Sequence, residues 1–413
     1  MSRRIALACA LTLAASAQVP PAASKKPLPD DIVLRVRPVM DAIHSLDYPT
    51  AERLCKTLIQ DLPEHPAGYE YLARTYWSEQ LSHARLLSTE RFVAMDLFSD
   101  SPRFRLAVER ASHERFNRAG AESLEKARAW SKRHPADADA QFFLATAYAI
   151  MAGYELSIER NRWKATKSSG EAYEAAQDLV RRFPDFADAR LITGAVNFVA
   201  DNLDWKTKWL SWLLGYRGSQ DKGRQDLEIA ADQGTLTSDD ARTFLAVLHT
   251  REKQMDKATR RLAELHERHP DNYLVHLDIA AAAWLMDRPT QALETYREIL
   301  AKNYPELERT FVLSRIGAAS RMAGDFNASE RWLRNAVEAP GTSPRLLAVA
   351  YLEFGKTLDL LNRRDGALAQ YRHVLQLEDF LGLHQEAESF IRKPFDVTAM
   401  RQDQGAGGLV TLK

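Results

Sequence analysis

The strongest candidate for chemistry in this sequence is a short run of histidine, glutamate, arginine and histidine at 266–269. Imidazole and carboxylate groups are common zinc ligands, and two histidines four residues apart can share one metal from one face of a helix. Here His266 and His269 are only three residues apart, and Pro270 ends the helix directly after them. The spacing therefore favours a solvated helix end over a metal site.

Other signatures of catalysis are missing from the sequence. It contains no G-x-S-x-G turn for a nucleophilic serine, no phosphate-binding P-loop and no dinucleotide fingerprint. The adjacent carboxylates Asp239 and Asp240 fall at a predicted helix start, where capping explains them. Cys55 lies on the apolar stripe of a predicted helix, which indicates buried packing. We therefore predict a protein that is not an enzyme and has no cofactor or metal ion.

Tryptophans form the next candidate site. Trp205, Trp209 and Trp212 lie within eight residues, and on a helix they share roughly 60° of the circumference. They either pack against Trp163 inside the protein, line a pocket with Trp163 for an extended peptide or glycan, or make a peripheral membrane contact together with Lys206 and Lys208. The surrounding segment is apolar over most of its circumference, which favours packing.

The composition restricts the class of partner and the compartment. Lysine plus arginine equals aspartate plus glutamate at 56 each, so no charge excess favours nucleic acid or an anionic membrane. The first 17 residues combine a basic start, an apolar run and a small-x-small ending, which predicts a secretory signal peptide. A lipoprotein signal at Cys9 and a twin-arginine signal are the alternatives. No later run reaches the ~20 apolar residues of a transmembrane helix, so we expect a periplasmic or extracellular protein.

Helices must position these residues, because nearly everything beyond residue 29 has helical periodicity. Helices of 12 to 16 residues are separated by short breaks that contain proline, which stops helix propagation. The segments 241–272 and 274–306 repeat one pattern: Ala246 and Ala280 in the first helix are 34 residues apart. The second helices repeat it at the same interval, with Ala258 and Ala292.

This spacing resembles the tetratricopeptide (TPR) repeat family, whose unit is a 34-residue helix–turn–helix. The resemblance implies an all-α, TPR-like solenoid of about eight helical hairpins, with small residues where the two helices of a hairpin cross. The first-helix positions are Val39, Ala73, Ala145, Gly194, Ala246, Ala280, Gly317 and Gly355. The second-helix positions are Ala51, Ala172, Gly223, Ala258, Ala292 and Ala367.

Long intervals between some of these positions indicate insertions in repeats two to four. They are placed at 83–113, 153–168 and 201–219, and equivalent loops of a solenoid stack on one edge, so we predict a side lobe built from them. The predicted organisation is a signal peptide at 1–17, a linker at 18–29, repeats one and two at 30–135, divergent repeats three and four at 136–236, regular repeats at 237–381, a capping helix at 382–395 and a flexible tail at 396–413.

The resemblance also implies that the first helices line a concave groove that binds an extended peptide or a helix. In this sequence the corresponding side chains, called the groove stripe below, are Thr243, Val247, Arg251, Leu277, Ala281, Trp284, Ser314, Ala318, Arg321, Leu352, Lys356 and Asp359. A neighbouring helix covering the apolar members, especially Leu277 and Trp284, is the alternative. We predict an envelope scaffold for a protein partner; the alternative is a transport-associated accessory that binds a small ligand or glycan at the tryptophans.

Overall fold

Helices make up the architecture of this protein. The computed structural model describes residues 28–83, 109–201, 219–379 and 382–400, and within these ranges it contains helices and no strand. The α-helices are α1 Asp30–His44, α2 Tyr48–Asp61, α3 Ala67–His83, α4 Arg110–Arg133, α5 Ala138–Ser157, α6 Arg162–Arg182, α7 Arg190–Asp201, α8 Gln220–Gln233, α9 Ser238–Arg251, α10 Met255–Arg268, α11 Tyr273–Leu285, α12 Pro289–Lys302, α13 Arg309–Met322, α14 Phe326–Val337, α15 Pro344–Leu360, α16 Arg364–Gln376 and α17 Leu383–Arg392.

Each helix packs against the next one along the chain, and the odd-numbered member from α1 to α15 opens a two-helix hairpin. First helices of neighbouring hairpins also contact one another, as α13 and α15 do. Sequential packing of this kind is what a solenoid of helical hairpins requires. The predicted all-α, TPR-like fold is therefore confirmed.

The close helix crossings fall where the small residues predict them. In the fourth hairpin, a Cβ added to Gly194 would lie 2.9 Å from the carbonyl oxygen of Gly223. A Cβ added to Gly223 would lie 3.0 Å from the carbonyl oxygen of Gly194. Backbone thus meets backbone at this crossing, and a side chain on either residue would push α7 and α8 apart.

The turns inside the hairpins share a backbone conformation that the repeat spacing did not predict. Between α9 and α10, Lys253 adopts a left-handed φ of 59°, and the amide of Gln254 donates to the carbonyl of His249 at 2.8 Å. This is the bond of a Schellman-type helix end. The residues with positive φ in the other hairpin turns that the structure describes are Leu46, Arg160, Asp287, Gly324 and Asn362.

Apolar packing continues from hairpin to hairpin. The largest core cluster joins the first three hairpins and contains Cys55, whose side chain is fully buried and whose thiol pKa is raised to about 12 by that burial. The predicted buried role of Cys55 is confirmed. In the described ranges, no helix has the length and apolar character needed to cross a membrane.

Candidate interaction groove

The groove stripe is only partly accessible. Thr243 and Arg251 on α9 are exposed, and Leu277 on α11 is partly exposed. The remaining members are buried: Val247, Ala281, Trp284, Ser314, Ala318, Arg321, Leu352, Lys356 and Asp359. Trp284 belongs to the same core cluster as Ala318 on the next first helix. The alternative of coverage by neighbouring helices therefore holds for Trp284.

Three buried polar atoms of the stripe have no hydrogen-bond partner within the part of the chain that the structure describes. They are the indole Nε1 of Trp284, the hydroxyl of Ser314 and the guanidinium Nε of Arg321. Most buried polar groups in native proteins are paired, so each such atom calls for an explanation. Trp284 and Ser314 lie on consecutive first helices, α11 and α13, beside the accessible part of the stripe, whereas Arg321 lies against the ring of Phe395.

The charged members of the stripe form an ion-pair network instead of facing solvent. Arg321 pairs with Glu353, and the ammonium of Lys356 lies 3.1 Å from Glu353 and 2.7 Å from Glu386. Arg321 and Lys356 are each only 2% exposed. Burial opposes ionisation of Glu353, but the two neighbouring cations outweigh that effect and lower its pKa. The predicted surface role of Arg321 and Lys356 is therefore corrected, because these charges are used inside the chain.

Asp359 is held in the same way. One of its carboxylate oxygens accepts hydrogen bonds from the Tyr371 hydroxyl and the Phe395 amide, each at 2.9 Å, and from Arg364 at 3.0 Å. Arg364 also donates to the carbonyl of Phe390 at 2.8 Å. Asp359 thus ties α15 to α16 and to the segment that follows α17, which sequence reasoning treated only as a cap and tail.

That segment, residues 393–397, is called the strap below. Its Phe395 side chain is 2% exposed and lies beneath two cations, with the Arg321 guanidinium 5.5 Å and the Lys356 ammonium 5.6 Å from the ring centroid. The ring of Phe390 meets it edge-on at 5.3 Å between centroids. The chain's own strap therefore occupies the last two repeats of the stripe.

The earlier hairpins close the stripe at its other end. Arg74 on α3 follows the small residue Ala73 as Val247 follows Ala246, so it occupies the equivalent stripe position. Its guanidinium pairs with Asp240 on α9, across 166 residues of sequence. The ring of His44 lies 3.3 Å from the same carboxylate.

Asp239 and His269 extend this junction. The His269 ring nitrogen lies 2.8 Å from Asp239, and the ring stacks on His44 at 5.1 Å between centroids. The Asn272 side chain donates to the backbone carbonyl of His44 at 2.7 Å. Burial alone would raise the pKa of Asp239, but the His269 hydrogen bond and nearby positive charges lower it to about 2.

These contacts correct two sequence interpretations. His269 is buried rather than solvated, and the Asp239–Asp240 pair joins distant repeats rather than only capping α9. The sequence offered one signal for this role, namely two adjacent carboxylates one repeat before a histidine. It did not reveal that α1 and α3 would supply their partners.

A buried carboxyl lies on the same stripe near the junction. Glu70 on α3 is 2% exposed, and its Oε2 lies 2.8 Å from the hydroxyl of Thr146 on α5. Burial raises the pKa of Glu70 to about 8, so the carboxyl is mostly neutral at pH 7. The Thr146 oxygen is also 2.8 Å from the Phe142 carbonyl. The single hydroxyl proton of Thr146 cannot be donated fully to both oxygens. A protonated Glu70 supplies the second proton that these two hydrogen bonds need.

Of the four tryptophan candidates, Trp163 lies within the residues that the structure describes. Trp205, Trp209 and Trp212 lie outside the described residues. Trp163, in the first turn of α6, is 65% exposed, which does not fit buried packing. The pocket formed by all four tryptophans stays a prediction. In the described ranges, no group of three or more histidine, cysteine, aspartate or glutamate side chains is arranged to hold a metal ion.

No family model and no curated protein sequence matches this chain. Comparison with solved structures finds yeast Tom70, with 12% identity over 91% of this chain and 90% of that chain, at a TM-score of 0.34. It also finds the human IFIT1 dimer with m7Gppp-AAAA, with 12% identity over 92% and 93% of the two chains, at a TM-score of 0.39. The APC/C hetero-tetramer Cut9-Hcn1 matches at 14% identity over 90% and 92%, with a TM-score of 0.23.

Proposed function

We propose that this chain is a non-catalytic scaffold that binds a protein partner at the middle of its groove stripe. The observation that carries this proposal is the position of Thr243, Arg251 and Leu277. They are the accessible members of a stripe that is closed at one end by the Arg74–Asp240 pair and at the other by the strap. The accessible stretch therefore has defined limits, as a binding site for a short segment requires.

Two further features support a peptide-like partner. The Trp284 indole and the Ser314 hydroxyl beside this stretch lack acceptors in the described residues, and the backbone carbonyls of an extended segment are suitable acceptors once the stripe adjusts. The balanced charge of the chain disfavours nucleic acid. The predicted signal peptide supports a partner in the bacterial cell envelope.

Affinity capture tests the proposal. The tagged full chain is used to capture proteins from envelope extract, alongside Arg251→Glu and a matched control, Arg331→Glu, which reverses an exposed charge on the second helix α14. We expect one specific protein to be retained by the wild type and the control, and lost from Arg251→Glu. Equal retention by all three proteins would place the binding surface outside this stretch.

A second candidate function rests on Trp163. Trp163 is 65% exposed, and an exposed indole offers an apolar face and an N–H donor that suit stacking on a sugar or peptide. We expect an envelope glycan or peptide ligand to quench tryptophan fluorescence in the wild type and to lose part of that effect in Trp163→Ala. Quenching of the same size in both proteins would remove Trp163 from the site.

A further inference from the structure

We infer that the strap fills a pocket that binds an aromatic side chain. An extended segment of a partner protein displaces the strap and places its own aromatic side chain in this pocket. The inference rests on the proposed function and names the chemistry of the partner. The pocket walls are Arg321, Lys356 and Phe390, and the acceptor at its rim is Asp359.

The chemistry of the pocket follows from what Phe395 touches. Two cations lie within 6 Å of its ring centroid, a distance at which the electron-rich face of an aromatic ring attracts positive charge. The Asp359 carboxylate accepts the amide that carries this ring, at 2.9 Å. A ligand therefore needs an aromatic side chain and a free backbone N–H on the same residue.

The strap is held at few points compared with the helix before it. Leu383 and Ala387 of α17 belong to the core cluster of the last hairpin, so α17 is part of the folded body. In the strap, Phe395 is buried, whereas Lys393, Pro394 and Val397 are exposed. When the Phe395 ring leaves its pocket and the hydrogen bond from the Phe395 amide to Asp359 breaks, the strap is therefore released without unfolding of α17.

The network beneath the ring explains why the pocket must stay occupied. Arg321, Glu353 and Lys356 are buried charges, and Phe395 helps to exclude water from them. Buried ion pairs depend on hydrogen bonds and on low access to water. A partner that delivers another aromatic ring preserves this arrangement, whereas a small polar ligand does not.

The test uses a labelled peptide with the sequence of residues 392–400 and the full chain. We expect the peptide to bind Phe395→Ala at least tenfold more tightly than the wild type in fluorescence anisotropy, because the variant's own strap no longer fills the pocket. The matched control is Val397→Ala, which alters the same strap at a side chain that is 47% exposed. It should behave like the wild type, and a peptide with Phe395→Ala should bind at least tenfold less tightly.

A second measurement applies to the wild type, whose fold is not in question. Excess peptide should accelerate hydrogen exchange of the Phe395 amide, and the Phe395→Ala peptide should not. Failure of the peptide to bind Phe395→Ala or to accelerate this exchange would overturn the inference. A concentration-dependent dimer that the peptide dissociates would also overturn it, by showing that a second copy is the occupant. Because no partner is needed, these results are independent of the Arg251→Glu capture.

Discussion

Replacing Glu70 with glutamine perturbs the buried carboxyl that faces Thr146. Burial raises the pKa of Glu70 to about 8, whereas an exposed glutamate has a pKa near 4.5. Between about pH 4.5 and pH 8, the unfolded chain has released the Glu70 proton and the native protein still holds it. The native state then binds more protons, so the free energy of unfolding falls as the pH rises. Above about pH 8 both states are ionised and this dependence levels off.

The size of the effect follows from the pKa shift. One pKa unit corresponds to about 1.4 kcal/mol, so Glu70 alone removes roughly 3 kcal/mol of unfolding free energy between pH 4.5 and pH 7. Glutamine cannot ionise, and its amide can either accept a hydrogen bond from Thr146 or donate one to it. The free energy of unfolding of Glu70→Gln minus that of the wild type should therefore rise by ~3 kcal/mol over this range, of which ~2.5 kcal/mol falls between pH 5 and pH 7.

Urea denaturation followed by circular dichroism at pH 5, 6 and 7 measures this difference. The matched control is Glu52→Gln, since the pKa of Glu52 is lowered: burial alone would raise it, but hydrogen bonds from Lys56 and Tyr76 dominate. Glu52 is mostly ionised in both states from pH 5 to pH 7, so its difference from the wild type should change by less than about 0.3 kcal/mol. A flat or falling difference for Glu70→Gln would show that the carboxyl is ionised in the native protein.

Three further substitutions test the closure, the crossings and the turns by the same denaturation assay. Arg74→Ala should cost about 2 kcal/mol because Asp240, whose side chain is 19% exposed, loses its guanidinium partner. Arg35→Ala, which breaks an exposed pair, should cost at most about 1 kcal/mol, and equal losses would contradict the closure. Gly194→Ala should cost ~1–3 kcal/mol because its Cβ meets backbone, and an unchanged stability would mean that the crossing can open. Lys253→Gly should stabilise by about 1 kcal/mol by relieving a left-handed φ, and a loss would show that the lysine contacts outweigh the strain.

The sequence by itself determined the hairpins and where their helices cross. Repeat spacing and small residues are local properties. The two helices of one hairpin contact each other, and small residues such as Gly194 and Gly223 mark the point of contact in the sequence. Helix ends marked by proline and the buried position of Cys55 are local in the same sense. These features need no knowledge of how the hairpins are arranged around the superhelix.

Only the tertiary structure decided which stripe residues reach solvent. Whether Arg74 meets Asp240 depends on the rotation accumulated from the second hairpin to the fifth, with two hairpins between them. Small rotations that sequence spacing does not encode determine that distance. Likewise, the helical pattern of the sequence does not distinguish Arg321 and Lys356 from surface charges. Their burial depends on the later residue Phe395, which packs against both of them in the folded protein. The sequence supplied the stripe, and the long-range contacts at its two ends leave Thr243 and Arg251 among its exposed members.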